Sequence, residues 1–308
     1  MKRNIGFLVI AFLLVLDTTE GFAQQQRLDA GTKILIPSSA RTGSFTSFLA
    51  VINLDSQDNA FTVTARGTNG SVLGTPITRV LSAGGRFRST DILNDMGVLV
   101  DPLSFGPITV ESTNGKTLSA VSEVTSLQNT GGFFAGVNAS SAWMQGYIAE
   151  VIDTGDRGGA PGTFRTNVGL NTVTGTAANV TVTLRGATGQ PLGSANFTVQ
   201  GNGLTQFRVQ DSIPQLRAAG NGYLTISSTQ PIHAWASKIE NGTEDSSFQI
   251  GIGALAGTVI SQVLPTGSDA RNNLLFIGLA LIPTLAFLVL KLKGIDLYQD
   301  ESLARQTI

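Results

Sequence analysis

The strongest constraint on this chain is that it contains one pattern twice. FTVTARGTNGSVLG at 61–74 returns as VTVTLRGATGQPLG at 180–193, an offset of 119. Downstream, Phe87-Arg88 with Asp91 returns as Phe207-Arg208 with Asp211. GPITV at 106–110 returns as GYLTI at 222–226, and SAVSEV at 119–124 as AWASKI at 234–239. Phe133 with Gly136-Val137 returns as Phe248 with Gly251-Ile252. An order kept over about 90 residues, with offsets that drift only slightly, marks two homologous units with small insertions in loops.

Each copy reads as β-structure. Phe61, Val63 and Ala65 alternate with Thr62, Thr64 and Arg66, and the period of two recurs at 180–185, so one face is buried and one solvated. Asn69-Gly70 and Thr188-Gly189 follow directly, where a tight hairpin turn is needed. Further strands are expected at 33–37, 48–53, 77–81, 108–112, 119–124 and 133–137. No stretch of the body keeps a helical apolar period. Glycine, 36 of 308 residues, is then explained by many turns, and threonine by solvated strand faces. Short strands at this spacing predict an all-β fold of two tandem β-sandwich domains, at 33–138 and 146–253. With its R-G-x-x-G-x-x-L-G hairpin and later F-R-x-x-D segment, the repeat resembles tandem immunoglobulin-like domains of uncharacterised bacterial cell-envelope proteins. The resemblance covers roughly 34–252. Its motifs are turns and core strands, so it implies a fold and a cell-envelope setting and brings no catalytic residue with it.

The ends read as targeting segments. Lys2 and Arg3, an uncharged run at 5–16, and small Gly21 and Ala23 predict a signal peptide at 1–23. Its apolar run reaches only about 18 Å, short of a bilayer core. At 274–290, LLFIGLALIPTLAFLVL is uncharged; continued through Leu292 it spans about 28 Å, enough for a single transmembrane helix at 274–292. Lys291 and Lys293 follow it and Arg271 alone precedes it, which places the 293–308 tail in the cytoplasm. A linker at 254–273 joins helix and body. The expectation is a body exported to the periplasm or beyond and anchored in the bacterial cytoplasmic membrane.

Chemistry is thin. There is no cysteine and one histidine, which excludes a disulfide framework, a Cys nucleophile and a multi-histidine metal cage. A net charge of −1 offers no footprint for nucleic acid. His233 reads as a structural or surface histidine, since the first copy has none at the matching place and no G-x-S-x-G elbow accompanies it. A hydrolase would need a carboxylate pair, drawn from Asp91, Asp95, Glu111 and Glu123, or from Asp211 and Glu240. No cofactor is expected. Calcium is the weakly supported exception, with turn oxygens at Asp55/Asp58/Asn59, Asp153/Asp156 and Glu240-Asn241/Glu244-Asp245. The sparse aromatics Trp143, Tyr147, Tyr223 and Trp235 are the candidate ligand contacts, for a protein or glycan partner. The paired arginines, Arg66 with Arg185 and Arg88 with Arg208, read as shared scaffold. The functional expectation is a non-enzymatic, membrane-anchored envelope protein displaying its domains for structural or adhesive interaction. A glycan-binding module, and behind it an exported hydrolase, are the alternatives. Exposed edge strands leave self-association open.

Overall fold

The computed structural model describes residues 29–126 and 131–254. The expected signal peptide, membrane helix, tail and nearly all of the linker lie outside the described residues. Among the described residues, no helix is long and apolar enough to cross a membrane.

The described body is all-β, built from antiparallel sheets. The first repeat supplies β1 (Lys33–Ala40), β2 (Phe45–Asn53), β3 (Asn59–Arg66), β4 (Val72–Leu81), β5 (Arg86–Ser89), β6 (Phe105–Ser112), β7 (Leu118–Ser126), β8 (Gly131–Ala135) and β9 (Val137–Asn138). These form two sheets, ordered β4-β3-β6-β1-β9 and β5-β2-β7-β8. The second repeat supplies β10 (Trp143–Ile152), β11 (Phe164–Thr172), β12 (Ala178–Arg185), β13 (Pro191–Val199), β14 (Leu204–Arg208), β15 (Asn221–Glu240), β16 (Ser246–Ile250) and β17 (Ile252–Gly253). Its path β13-β12-β15-β10-β17 repeats the first order, and β14-β11-β15-β16 repeats the second. One difference matters. Where β6 and β7 are separate strands, β15 runs unbroken through Pro231 and serves both sheets. Its first half pairs with β12 and β10, its second with β11 and β16. Helix is confined to short turns, α1 (Ile92–Asp95), α2 (Val209–Ser212) and α3 (Gln215–Ala219).

The alternation in the sequence becomes the core. Along β3 the burial pattern is strictly alternate, with Phe61, Val63 and Ala65 inward beside Leu49 and Val51 of the facing sheet. The shared R-G-x-x-G motif closes the hairpin the same way in both copies. Arg66 Nη1 donates to the Gly70 carbonyl at 2.9 Å, and Arg185 Nη1 to the Gly189 carbonyl at 2.8 Å. Both terminal glycines are left-handed, at φ +81° and +83°, where a side chain is strained.

The two repeats share a core. Trp235, Phe248 and Leu204 of the second repeat belong to the apolar cluster of the first. Phe134 meets Trp235 edge-on, at 5.5 Å between ring centroids, and Phe248 at 4.6 Å. The indole lies over Gly169, its cross-strand neighbour, where any Cβ would overlap the ring. Trp235 Nε1 donates to Asn171 Oδ1, and Asn171 Nδ2 donates to the Pro37 carbonyl across the seam, each at 3.0 Å. A second contact brings backbones together: Leu204 N donates to the Thr68 carbonyl, and a Cβ on Gly70 would overlap the Gly201 carbonyl.

Candidate functional site: a cleft at the seam between the repeats

In β11 the sequence RTNVGLN alternates. Thr166, Val168 and Leu170 turn toward the repeat's own interior, while Arg165, Asn167, Gly169 and Asn171 share the opposite face. Cross-strand register adds Gln206 and Arg208 from β14, and Trp235, Ser237 and Ile239 from β15, to that face. The first repeat covers the end that carries Asn171 and Trp235. The other end stays open as the floor of a cleft of about 1060 Å³. Phe45, Pro102, Phe105, Val124 and Phe134 of the first repeat line the opposite side. Ser38, Thr42, Ser44 and Ser126 of the first repeat and Phe207, Trp235 and Ile239 of the second line it as well, so each repeat contributes both polar and apolar groups.

Its charges are tied down. Arg165 Nη2 meets Glu244 Oε2 at 2.6 Å and Nη1 donates to Asn241 Oδ1 at 2.6 Å; exposed Arg157 also faces Glu244. Behind the floor, Asp153 is fully buried and accepts from Arg208 at 2.8 Å and Arg217 at 2.6 Å. The same two arginines reach Asp156 at 3.0 and 2.9 Å. Hydrogen bonds from Arg217 and then Arg208 hold the Asp156 carboxyl below the usual carboxylate range. A general acid requires the opposite displacement.

The four sequence-selected aromatics do not form one surface patch. Trp143 and Tyr147 lie half-buried on β10, whereas Tyr223 and Trp235 are interior, each 1% exposed. Of the four, Trp235 alone borders the cleft. None of the carboxylates considered for hydrolysis lines the cleft. Asp91 caps α1 and accepts from Arg41, Asp95 accepts from the Ser89 hydroxyl, and Glu111 pairs with Lys33 on the surface. Glu123 is exposed on β7. Asp211, also exposed, lies 3.9 Å from Arg208. Glu240 accepts backbone N–H groups of Thr243 and Gly162, which hold its carboxyl below the ordinary value. Of the turn oxygens considered for calcium, Asp153 and Asp156 meet arginines, and Asp55 faces Lys116 at 3.9 Å. No group of three or more metal-ligating side chains occurs among the described residues.

His233 is 3% exposed, with Nε2 3.1 Å from the Asn138 carbonyl in the segment joining the repeats. Burial pushes its pKa down to about 4, against partial compensation from the Asn138 carbonyl and Asp29.

Arg165, Asn167, Gln206 and Ser237 were not singled out by sequence reasoning. A signal was present: where the first copy reads Thr46 and Phe48, the second has Arg165 and Asn167, polar residues at alternate positions of a strand. No family model matches this chain, and no curated protein does. Among solved structures it is similar to that of Thermotoga maritima 1070, at 13% identity and a TM-score of 0.31, over 37% of this chain and 96% of that one. It is similar to a putative β-galactosidase from Bacteroides fragilis at 12% identity and a TM-score of 0.16, over 74% of this chain and 33% of that one. Likenesses this distant identify neither a shared fold nor an activity.

Proposed function

We propose that the chain is a non-enzymatic, exported envelope protein. Its two repeats act as immunoglobulin-like β-sandwiches welded into one interaction module and anchored through 274–292. The body faces outward, the 293–308 tail lies in the cytoplasm, and the seam cleft receives a component of the cell envelope. The observation that carries this reading is the cleft itself. It is lined by both repeats, with aromatic and hydroxyl side chains from the first and amides and arginines from the second, and its neighbouring carboxylates pair with arginines. Such a surface suits recognition.

The test is binding of the purified full chain to isolated cell envelopes, with and without Asn167→Trp, which fills the cleft from a side chain that holds no protein partner. Loss of binding in the filled variant is expected; undiminished binding would remove the cleft from the account. Digestion of a C-terminal tag by protease added outside spheroplasts would overturn the topology.

A further inference from the structure

The two sheets of the first repeat turn very different outer faces to solvent. On β3, β4 and β6 the outward positions include Thr62, Thr64, Thr78, Thr109 and Glu111. On β2, β7 and β8 they include Phe48, Ala50, Ile52, Val121 and Phe133. Leu49 and Val51 point inward, and the ladder sets Ala50 beside Val121, Phe48 beside Glu123 and Glu123 beside Phe133. Phe133 is 49% exposed and the other four are partly exposed. The matching face of the second repeat, on β14, β11 and β15, is the one that the first repeat covers around Asn171 and Trp235. The apolar face of the first repeat lies outside the seam cleft and has no such cover among the described residues.

The second repeat of another copy does not fit there in the way the repeats fit within one chain. The first repeat admits Trp235 and Phe248 of its neighbour beside Phe134, whereas the second fills the matching place with its own Trp143, over Gly146, Gly251 and Gly253. A head-to-tail array of copies is therefore blocked at the second repeat. The charges on the face suit the same face of a second copy instead. Among the described residues Arg86, Arg88 and Glu123 meet no opposite charge, and the Arg88 guanidinium lies 5.2 Å over the Phe48 ring. A two-fold axis parallel to the strands, between β2 and β7, lays β2 of one copy over β7 of the other and keeps each residue's level along the strands. Glu123 of the second copy, level with Phe48, then comes over the Phe48 ring and meets the Arg88 guanidinium held there. We infer that the outer face of the β5-β2-β7-β8 sheet is a self-docking surface, on which two copies of the chain pair face to face about such an axis. The face measures roughly 20 by 25 Å, so the pair is weak and reversible.

The chain has no cysteine, so Val121→Cys gives each copy a single thiol on this face. In the purified full chain a bismaleimide should join two copies of this variant, and should not join two copies of Thr181→Cys, on the solvated face of the second repeat. Sedimentation equilibrium of the full chain in neutral detergent should show a dimer at about 100 µM. Phe133→Asp, Glu123→Arg and Arg88→Glu, each alone, should weaken it by about tenfold or more. At low concentration, where the parent is monomeric, these variants should melt as it does, because all three side chains are exposed. Glu123→Arg mixed with Arg88→Glu should restore the pair, since both contacts across the axis are then opposite in charge. A full chain that stays monomeric at about 100 µM overturns the inference. So does equal cross-linking of Thr181→Cys, a dimer unmoved by Phe133→Asp, or a mixture that pairs no better than either reversed variant alone.

Discussion

The two repeats share a strand order and a hairpin motif, yet they close their cores by different means. In the second repeat, Trp143 lies across Gly146, Gly251 and Gly253, where a Cβ on any of them would press into the ring, and it packs on the repeat's own apolar cluster. The first repeat has Gly136 where the second has Gly251, and its core continues into Trp235, Phe248 and Leu204 of its neighbour. A second contrast lies where the first strand of each repeat ends. Ladder register makes Arg41 the counterpart of Asp153. Arg41 bonds to Asp91, Asn94 and the Val98 carbonyl. Asp153 takes Arg208 and Arg217. The same junction is tied with the charges reversed. Arg88, the sequence counterpart of Arg208, instead stacks on Phe48 at 5.2 Å. What the repeats have in common is scaffold. What they do not share makes the seam and the cleft.

The largest expected effect breaks this asymmetry directly. Trp235→Ala should cost about 3–5 kcal/mol, because it opens a cavity in a core used by both repeats. Half-buried Trp143→Ala should cost less, about 1–3 kcal/mol, and only in the second repeat. Urea denaturation of both variants would check this; equal losses would mean the first repeat does not depend on its neighbour. Next, Asp153→Ala leaves two arginines without their buried partner and should cost about 3 kcal/mol. Arg41→Ala removes a partly exposed pair and should cost about 1 kcal/mol.

His233 at the seam makes the pairing of repeats sensitive to acid. Its folded pKa, about 4, lies below its unfolded value of 6.5. Below pH 6.5 the unfolded chain takes up a proton that the folded chain does not. Stability is therefore full above pH 6.5 and falls by about 3 kcal/mol as pH drops toward 4. Melting temperature against pH should show this slope, and His233→Gln should flatten it.

The smallest contrast concerns the two hairpin glycines. Gly189→Ala carries the left-handed strain, about 1–2 kcal/mol. Gly70→Ala adds a clash with the Gly201 backbone and should cost more. Equal costs would mean the Gly70–Gly201 approach contributes nothing to the seam.

Most strands were legible because their signal is local. Alternation at 61–66 and 180–185, and glycine at the fifth position of R-G-x-x-G, are set by burial and backbone sterics within one hairpin. The continuous β15 was less so. Pro231 reads as a break, but here it falls where the strand passes from one sheet to the other, a place where a missing N–H is tolerated. The cleft was hidden for a further reason. Asn167, Gln206 and Ser237 lie on three strands and meet only through register, while Trp235 and Tyr223, conspicuous in the sequence, are spent on the interior.

The most direct test of the account is to separate the repeats as fragments 29–138 and 139–254 and follow urea unfolding of each alone and of the two mixed. The account predicts that 139–254 unfolds cooperatively by itself, whereas 29–138 is unstable alone and gains a cooperative transition only on mixing with its partner. A 29–138 fragment as stable alone as in the full chain would contradict a core completed across the seam.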